Sequence, residues 1–579
     1  MKFRPSWAKA VVWMAVLTQL SCAHRDRTEF ADTIYLGGDI LTMAGREPEY
    51  VEALAVRDGR IVHVGSRALA LKMESDTTEV VDLKGRLLLP GFIDSHSHFV
   101  QTAIKLSTVN LDPPPAGSVT SIDEVVAVLA AELEENPRMA GEWLYGWGYD
   151  NAYLKERRHP TRTDLDRVSR KIPIALYHFS GHVVALNSKA LEVMGFDSRS
   201  VAPEGGVIAR MRGSDEPNGV LEEQAMLPVV MKLLRSTSGS ELLTLLDRSR
   251  EVYKANGFTT VVEAAATPDQ VRTLKAYSAA GRLDIDVIAF VLAVTQGAEA
   301  TAAQFSRRYA NRFRVGGGKV NLDGGSPGRT AYLREPYYRQ AEGAALDYRG
   351  YSSIRKQEHI DQLVAGFYEL GVPIYIHALG DAAVDQAIHS VGSAEAKFPR
   401  DDIRTQLIHL QLLHEDQMEA LKRLDATLTF QITHNFYFAD FHHEQTFGPE
   451  RTAKLNPMKS ALDRGLSVTF HHDSPVHPVN QMDLIWIATN RSSRSGRVYG
   501  PEERLTPYQA LRASTLESAW QFFEEDRKGS LVIGKLADLV ILSANPLKVD
   551  LEKIKDIQIL ETIKEGRSIF RRVSSAASL

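Results

Sequence analysis

The chain has 579 residues, 44% hydrophobic and 24% charged, with 68 Lys and Arg against 73 Asp and Glu. These proportions exclude a disordered or low-complexity chain, and the length calls for more than one domain. A formal net charge of -5 provides no basic surface, so no nucleic-acid partner is expected.

Lys2, Arg4 and Lys9 precede an apolar run over 10–20, shorter than the roughly 20 residues of a membrane-spanning helix. Cys22 is the only cysteine, so no intramolecular disulfide can form. Residues 1–22 therefore read as a signal peptide that resembles a lipobox, with lipidation at Cys22. That implies a lipoprotein of the bacterial cell envelope, on the outer membrane or in the periplasm, held by an N-terminal lipid anchor. Gln19 departs from the usual lipobox leucine, and an ordinary signal peptide releasing a soluble periplasmic protein is the alternative. Removing Lys2, Arg4 and Lys9 changes the formal charge from -5 to -8.

Short strand patterns with Gly37–Gly38, Asp58–Gly59 and Lys84–Gly85 turn signals fill the region before residue 88. A similar pattern returns near the C-terminus. Together, 28–88 and 525–579 predict a small β-sandwich domain formed from both termini. Between them, apolar strands are expected over 87–94, 259–263, 285–292, 315–323, 372–377, 405–409, 427–432 and 466–472. Helices are expected over 242–256, 268–280, 355–370, 382–390, 416–424 and 451–464. Eight such α/β units over 89–524 predict a TIM (β/α)8 barrel. An insertion over about 105–235, too long for one crossover, must interrupt the barrel after its first strand. Trp143, Trp147 and Tyr149 in that insertion could wall a pocket or fill the insertion's own core.

The sharpest chemical signal is Leu89-Pro90-Gly91-Phe92-Ile93-Asp94-Ser95-His96-Ser97-His98. Residues i and i+2 of an extended chain share a face, so His96 and His98 can aim two imidazoles at one point. Lys319, His377, His409 and Asp473 lie at or near the ends of the fourth, fifth, sixth and eighth expected strands. Barrel active sites sit at the C-terminal ends of the strands, and imidazoles suit zinc. Jointly these residues read as a metal site.

Further motifs run in order: Gly181-His182-Val183, Asn187-Ser188, Pro203-Glu204-Gly205-Gly206, Gly219-Val220-Leu221 with Glu223, Lys319 with Asp323-Gly324, His377-Ala378 with Gly380-Asp381, His409 with Gln411, Asp473-Ser474-Pro475, and Gly534-Lys535 with Ala537-Asp538-Leu539-Val540. With the His96/His98 strand, this series resembles the amidohydrolase superfamily, in its branch of N-substituted formamide deformylases. The resemblance covers about residue 30 to the C-terminus. It implies a metal-dependent hydrolase of non-peptide C–N bonds, with His96, His98, His377, His409 and Asp473 as metal ligands. One or two Zn2+ or other divalent ions are implied. Lys319 is then either carbamylated between two metals or a charged neighbour of one. An unmodified ammonium has no lone pair and cannot ligate.

Asp473 would accept a proton from water and return it to the leaving amine, with His377 and Lys319 beside it as further catalytic groups. His182, His434, His472 and Asp323 are the candidate substrate contacts. His471–His472 stand where relatives commonly carry Gly-Ser. Either could be an extra ligand, a proton carrier, a substrate contact or mere filling. The expected partner is a small-molecule amide, N-substituted formamide or cyclic amide, with a homodimer left open. Ester or lactone hydrolysis and a non-catalytic metal-binding lipoprotein are the alternatives.

Overall fold

The computed structural model describes residues 30–573 apart from 140, 204, 237–238 and 341–343, so the signal-type segment and Cys22 lie outside the described residues. Among the described residues no helix is long and apolar enough to cross a membrane.

Eight parallel strands pair in chain order: Phe92–Ile93, Phe258–Ala266, Asp286–Leu292, Phe313–Asn321, Ile374–Ala378, Gln406–His409, Thr427–Phe430 and Ser467–Phe470. Each falls within or overlaps one of the expected segments. The sheet curls until its two ends meet. The Ser95 hydroxyl donates to the Phe470 carbonyl at 2.7 Å, and the His98 N–H donates to the Ser474 carbonyl at 2.7 Å. Ile93, Val262, Ile288, Phe290, Tyr375 and Ile408 pack together on the concave face. Their neighbours Leu407, Leu428, Phe430 and Val468 belong to the larger core outside it. This alternation is the period-2 geometry of strands buried on both faces.

Five of the expected helices form, as Ser240–Ala255, Pro268–Ala279, Gln357–Leu370, Asp381–Lys397 and Glu415–Arg423. The sixth divides into Gly448–Ala453 and Met458–Asp463. Asn456 has φ +49° and Pro457 follows it, so the helix cannot run through.

The expected strand over 87–94 also divides. Leu87–Pro90 pairs antiparallel with Leu539–Leu542, whereas Phe92–Ile93 enters the parallel sheet. Gly91 makes the crossing; a Cβ there would lie 2.4 Å from Thr259 Cγ2.

The strands of the two ends of the chain are joined in one hydrogen-bonded sheet, and the expected sandwich is not confirmed. Its order is Arg567–Arg571, Ile559–Lys564, Leu539–Leu542, Leu87–Pro90, Thr33–Leu41, Tyr50–Arg57 and Arg60–Gly65, with Glu79–Asp82 also on Thr33–Leu41. The reason is Leu87–Pro90, which hydrogen-bonds Thr33–Leu41 on one side and Leu539–Leu542 on the other. Lys564 ties this sheet to the parallel one. Its Nζ lies 2.6 Å from both Asp286 Oδ2 and Asp538 Oδ2. Lys528 bonds the same Asp286 carboxylate.

The insertion carries its own sheet of six strands, from Val109–Asn110 to Pro217–Glu223. Trp147 stacks on Tyr177 at 5.0 Å and Trp143 on Tyr145 at 5.7 Å. Tyr149 is fully buried in the insertion's core. These aromatics therefore fill the insertion rather than wall the cavity below.

Candidate active site

The C-terminal ends of the parallel strands carry a histidine cluster around Asp473. His96 Nε2 lies 3.2 Å and His98 Nε2 3.3 Å from Asp473 Oδ1, and His409 Nδ1 lies 3.9 Å from Oδ2. Ring centres of His377 and His409 are 4.3 Å apart, those of His96 and His471 4.7 Å. Strand alternation explains part of this. Tyr375 and His377 share the concave face, and so do Thr469 and His471. His409 does not follow alternation, since its neighbour Ile408 already faces inward; with φ +83° its left-handed backbone turns the side chain into the cluster. Asp473, two residues beyond His471 and also left-handed at φ +56°, lies on the same side. Non-glycine residues pay strain for that conformation and hold it where the site requires it.

Burial and electrostatics set the protonation. Burial and the Lys319 charge hold His96 well below the usual histidine range. Burial and His377 do the same to His409, and burial pushes His471 down to about 3. Burial opposes a proton on His98 too, but the Asp473 and Glu263 carboxylates raise it to about 9. Burial would raise Asp473, yet His96 and His98 hold it well below the usual carboxylate range. Lys319 is 2% exposed, and its desolvation outweighs Asp473 and lowers the ammonium to about 7.

Supporting groups fix this cluster. Gln431 accepts from or faces His409 Nδ1 through Oε1 at 3.1 Å and donates to Asp473 Oδ2 through Nε2 at 3.1 Å. Asp323 accepts backbone N–H bonds from Leu379, Gly380 and Tyr332 at 2.8–2.9 Å and lies 3.4 Å from His377 Nε2. Glu263 accepts from the Val100 N–H at 2.7 Å and lies 3.9 Å from His98. A cavity of about 290 Å³ opens over the cluster; His182, His377, His409, His434 and Asp473 line it together with Phe179. His182 is held by Glu223 at 2.9 Å.

The family model described as "Amidohydrolase family" matches residues 79–570. The chain belongs to the amidohydrolase family. As a member it is a metal-dependent hydrolase of C–N bonds. It is 25% identical over 562 residues to the N-substituted formamide deformylase of Arthrobacter pascens, covering 95% of this chain and 100% of that one. Among solved structures, an uncharacterized metal-dependent hydrolase from Pyrococcus furiosus matches with TM-score 0.68 and 26% identity, over 89% of this chain and 100% of that one. A second, from Pyrococcus horikoshii, has TM-score 0.70 and 24% identity, over 90% and 99%.

The donor set of this amidohydrolase fits a metal ion. Both ring nitrogens of His96 and His471, Nε2 of His409 and Nε2 of His377 are buried without a hydrogen-bond partner. Buried polar atoms are rarely left so, and neutral imidazole nitrogens carry the lone pairs a metal needs. His96, His98 and Asp473 form one group with donor atoms within 4.8 Å of each other; His409, His471 and Asp473 form another.

Two expected substrate contacts lie elsewhere. His472 is buried against Tyr253 and Phe258, with Nδ1 accepting from the Ser474 N–H at 3.0 Å. Alternation sends it outward as it sends His471 inward, so it does not reach the cavity. Asp323 is 1% exposed and spends its oxygens on backbone donors, so it braces the loop that follows His377 instead of touching substrate. His182 and His434 do line the cavity. Glu263 and Gln431 were not legible in the sequence as site residues. Glu263 sits inside an apolar strand and Gln431 beyond one, and neither belongs to a ligand-type motif.

Proposed function

We propose that this amidohydrolase cleaves N-substituted formamides or related small amides on a (β/α)8 barrel. The observation that carries the reading is the set of buried, unpartnered imidazoles around Asp473 at the cavity floor. His96, His98, His377, His409 and Asp473 would hold a divalent ion, zinc in our reading, with His471 extending the set. A second ion requires Lys319 as its carbamate, and a lysine lowered to about 7 presents the free amine that carbamylation consumes. A bound ion supplies Lewis acidity, which polarises a carbonyl and acidifies water.

The chain's own residues do the rest. Asp473, kept ionised by its histidine neighbours, takes the proton that water gives up on adding to the acyl carbon. It returns that proton to the nitrogen as the C–N bond breaks, leaving an acid and an amine. His182, oriented by Glu223, and His434 face the acyl group from the wall. Phe179 adds an apolar side to the cavity. On the same reading the N-terminal segment is a lipoprotein signal, and Cys22 carries lipid in the cell envelope.

The test is amine release from a panel of N-formyl and N-acyl amines by the zinc-loaded protein, with esters and lactones alongside. Amide turnover lost in Asp473→Asn is the expected result. Ester turnover alone would move the assignment to the ester class. Full metal loading without any turnover would leave a binding protein.

A further inference from the structure

Behind His434 the cavity wall carries a polar chain, His442 and Thr446, that the mechanism above leaves unused. His434 Nδ1 lies 3.1 Å from His442 Nε2, and His442 Nδ1 lies 2.6 Å from Thr446 Oγ1. The two rings are within 5° of parallel, as an in-plane hydrogen bond prefers. His442 and Thr446 are fully buried. They span one π turn, His442–Thr446, which brings their side chains together. Phe447 covers the His442 ring at 4.6 Å and offers it no acceptor.

The protons in this chain can be counted. Burial holds both rings neutral, pushing His434 down to about 3 and His442 well below the usual range. Each ring therefore has one N–H and one lone pair. Among the described residues, the Thr446 hydroxyl has one partner, His442 Nδ1. If the hydroxyl accepted there, its own hydrogen would be buried with nothing to receive it. It therefore donates, and His442 Nδ1 is a lone pair. The His442 proton is then on Nε2 and is donated to His434 Nδ1. The single His434 proton is left on Nε2, the one ring nitrogen not engaged by the chain.

We propose that Thr446 and His442 fix His434 as the Nε2–H tautomer, which donates a hydrogen bond to the acyl oxygen of the substrate as charge builds there. The donation rests on the amide-hydrolase reading; the tautomer does not. His434 is the catalytic residue here, and His442 and Thr446 are positioning residues. A preset donor aimed at a developing oxyanion needs no reorganisation during reaction.

The experiment is long-range 1H–15N NMR of the full protein labelled at histidine, with His434 and His442 assigned from His434→Gln and His442→Gln. The expected spectrum has His434 protonated on Nε2 in the wild type and in Thr446→Ser. In the isosteric Thr446→Val it shifts toward Nδ1–H. A wild-type proton on His434 Nδ1 overturns the proposal, and so does a tautomer indifferent to Thr446→Val. With any amide the enzyme turns over, Thr446→Val should lower kcat about tenfold and leave KM nearly unchanged, with Thr446→Ser restoring it. A changed tautomer with unchanged kcat removes the acyl-oxygen role. Absence of all turnover refutes the hydrolase reading and leaves the NMR result standing.

Discussion

Asp323→Asn tests whether the His377 end of the cluster is built or incidental. The carboxylate receives three backbone N–H bonds, Leu379 at 2.9 Å on Oδ1 and Gly380 at 2.8 Å and Tyr332 at 2.9 Å on Oδ2. An amide oxygen can keep the pair on one side, but the new NH2 must then face at least one N–H. That buried donor is left unpaired, costing about 1–3 kcal/mol, and the remaining bonds lose their charge assistance, about 0.5–1.5 kcal/mol each. The expected loss is roughly 2–6 kcal/mol. Urea unfolding of the metal-free protein reads it without any contribution from ligand binding. The same variant should bind less metal, because the loop carrying Leu379 and Gly380 also positions His377. A loss under about 1 kcal/mol with unchanged metal content would refute the reasoning.

Replacing His96 or His409 with alanine should remove bound metal, counted by elemental analysis of dialysed protein; full occupancy in both variants would exclude them as ligands. Asp473→Asn should cut amide turnover by about 10²–10⁴ while the protein stays folded by circular dichroism. Lys319→Ala separates the two forms of the centre. A fall from two metals to one or none supports the carbamate, and one metal in both proteins makes Lys319 a neighbouring charge. For pH, His434, His471 and His472 are each lowered to about 3, so the unfolded chain binds more protons than the folded one below about pH 6.5. The contribution of these three histidines to the stability of the metal-free protein should be full above that value and fall as pH drops, by about 1.4 kcal/mol per unit for each. A stability flat from pH 7 to 5 would contradict their burial as neutral rings.

The eight strands and most helices could be read because buried parallel strands are short apolar runs set apart by helical periods. The residues at their ends were legible for the same reason: His377 and His409 each close such a run. What stayed hidden depends on facing and pairing. Nothing in His471-His472 says which ring turns inward until the register of Ser467–Phe470 is known. The division at Gly91 was masked by uninterrupted apolar sequence on both sides of it. The single terminal sheet depends on Leu87–Pro90 having partners on both edges, a long-range fact. Glu263 and the His442–Thr446 contact are likewise products of tertiary packing.

Leu87–Pro90 lies six residues before His96, and its antiparallel partner, Leu539–Leu542, follows every proposed metal ligand in the chain. Assembly of the site therefore has an order in time. A ribosome-bound chain of about 500 residues already contains every proposed metal ligand, yet the strand leading into His96 and His98 lacks one of its two neighbours until Leu539–Leu542 emerges. The donors are set only once residues 539–542 are in place, and a fragment ending before residue 539 would carry all the ligands without the frame that aims the first two.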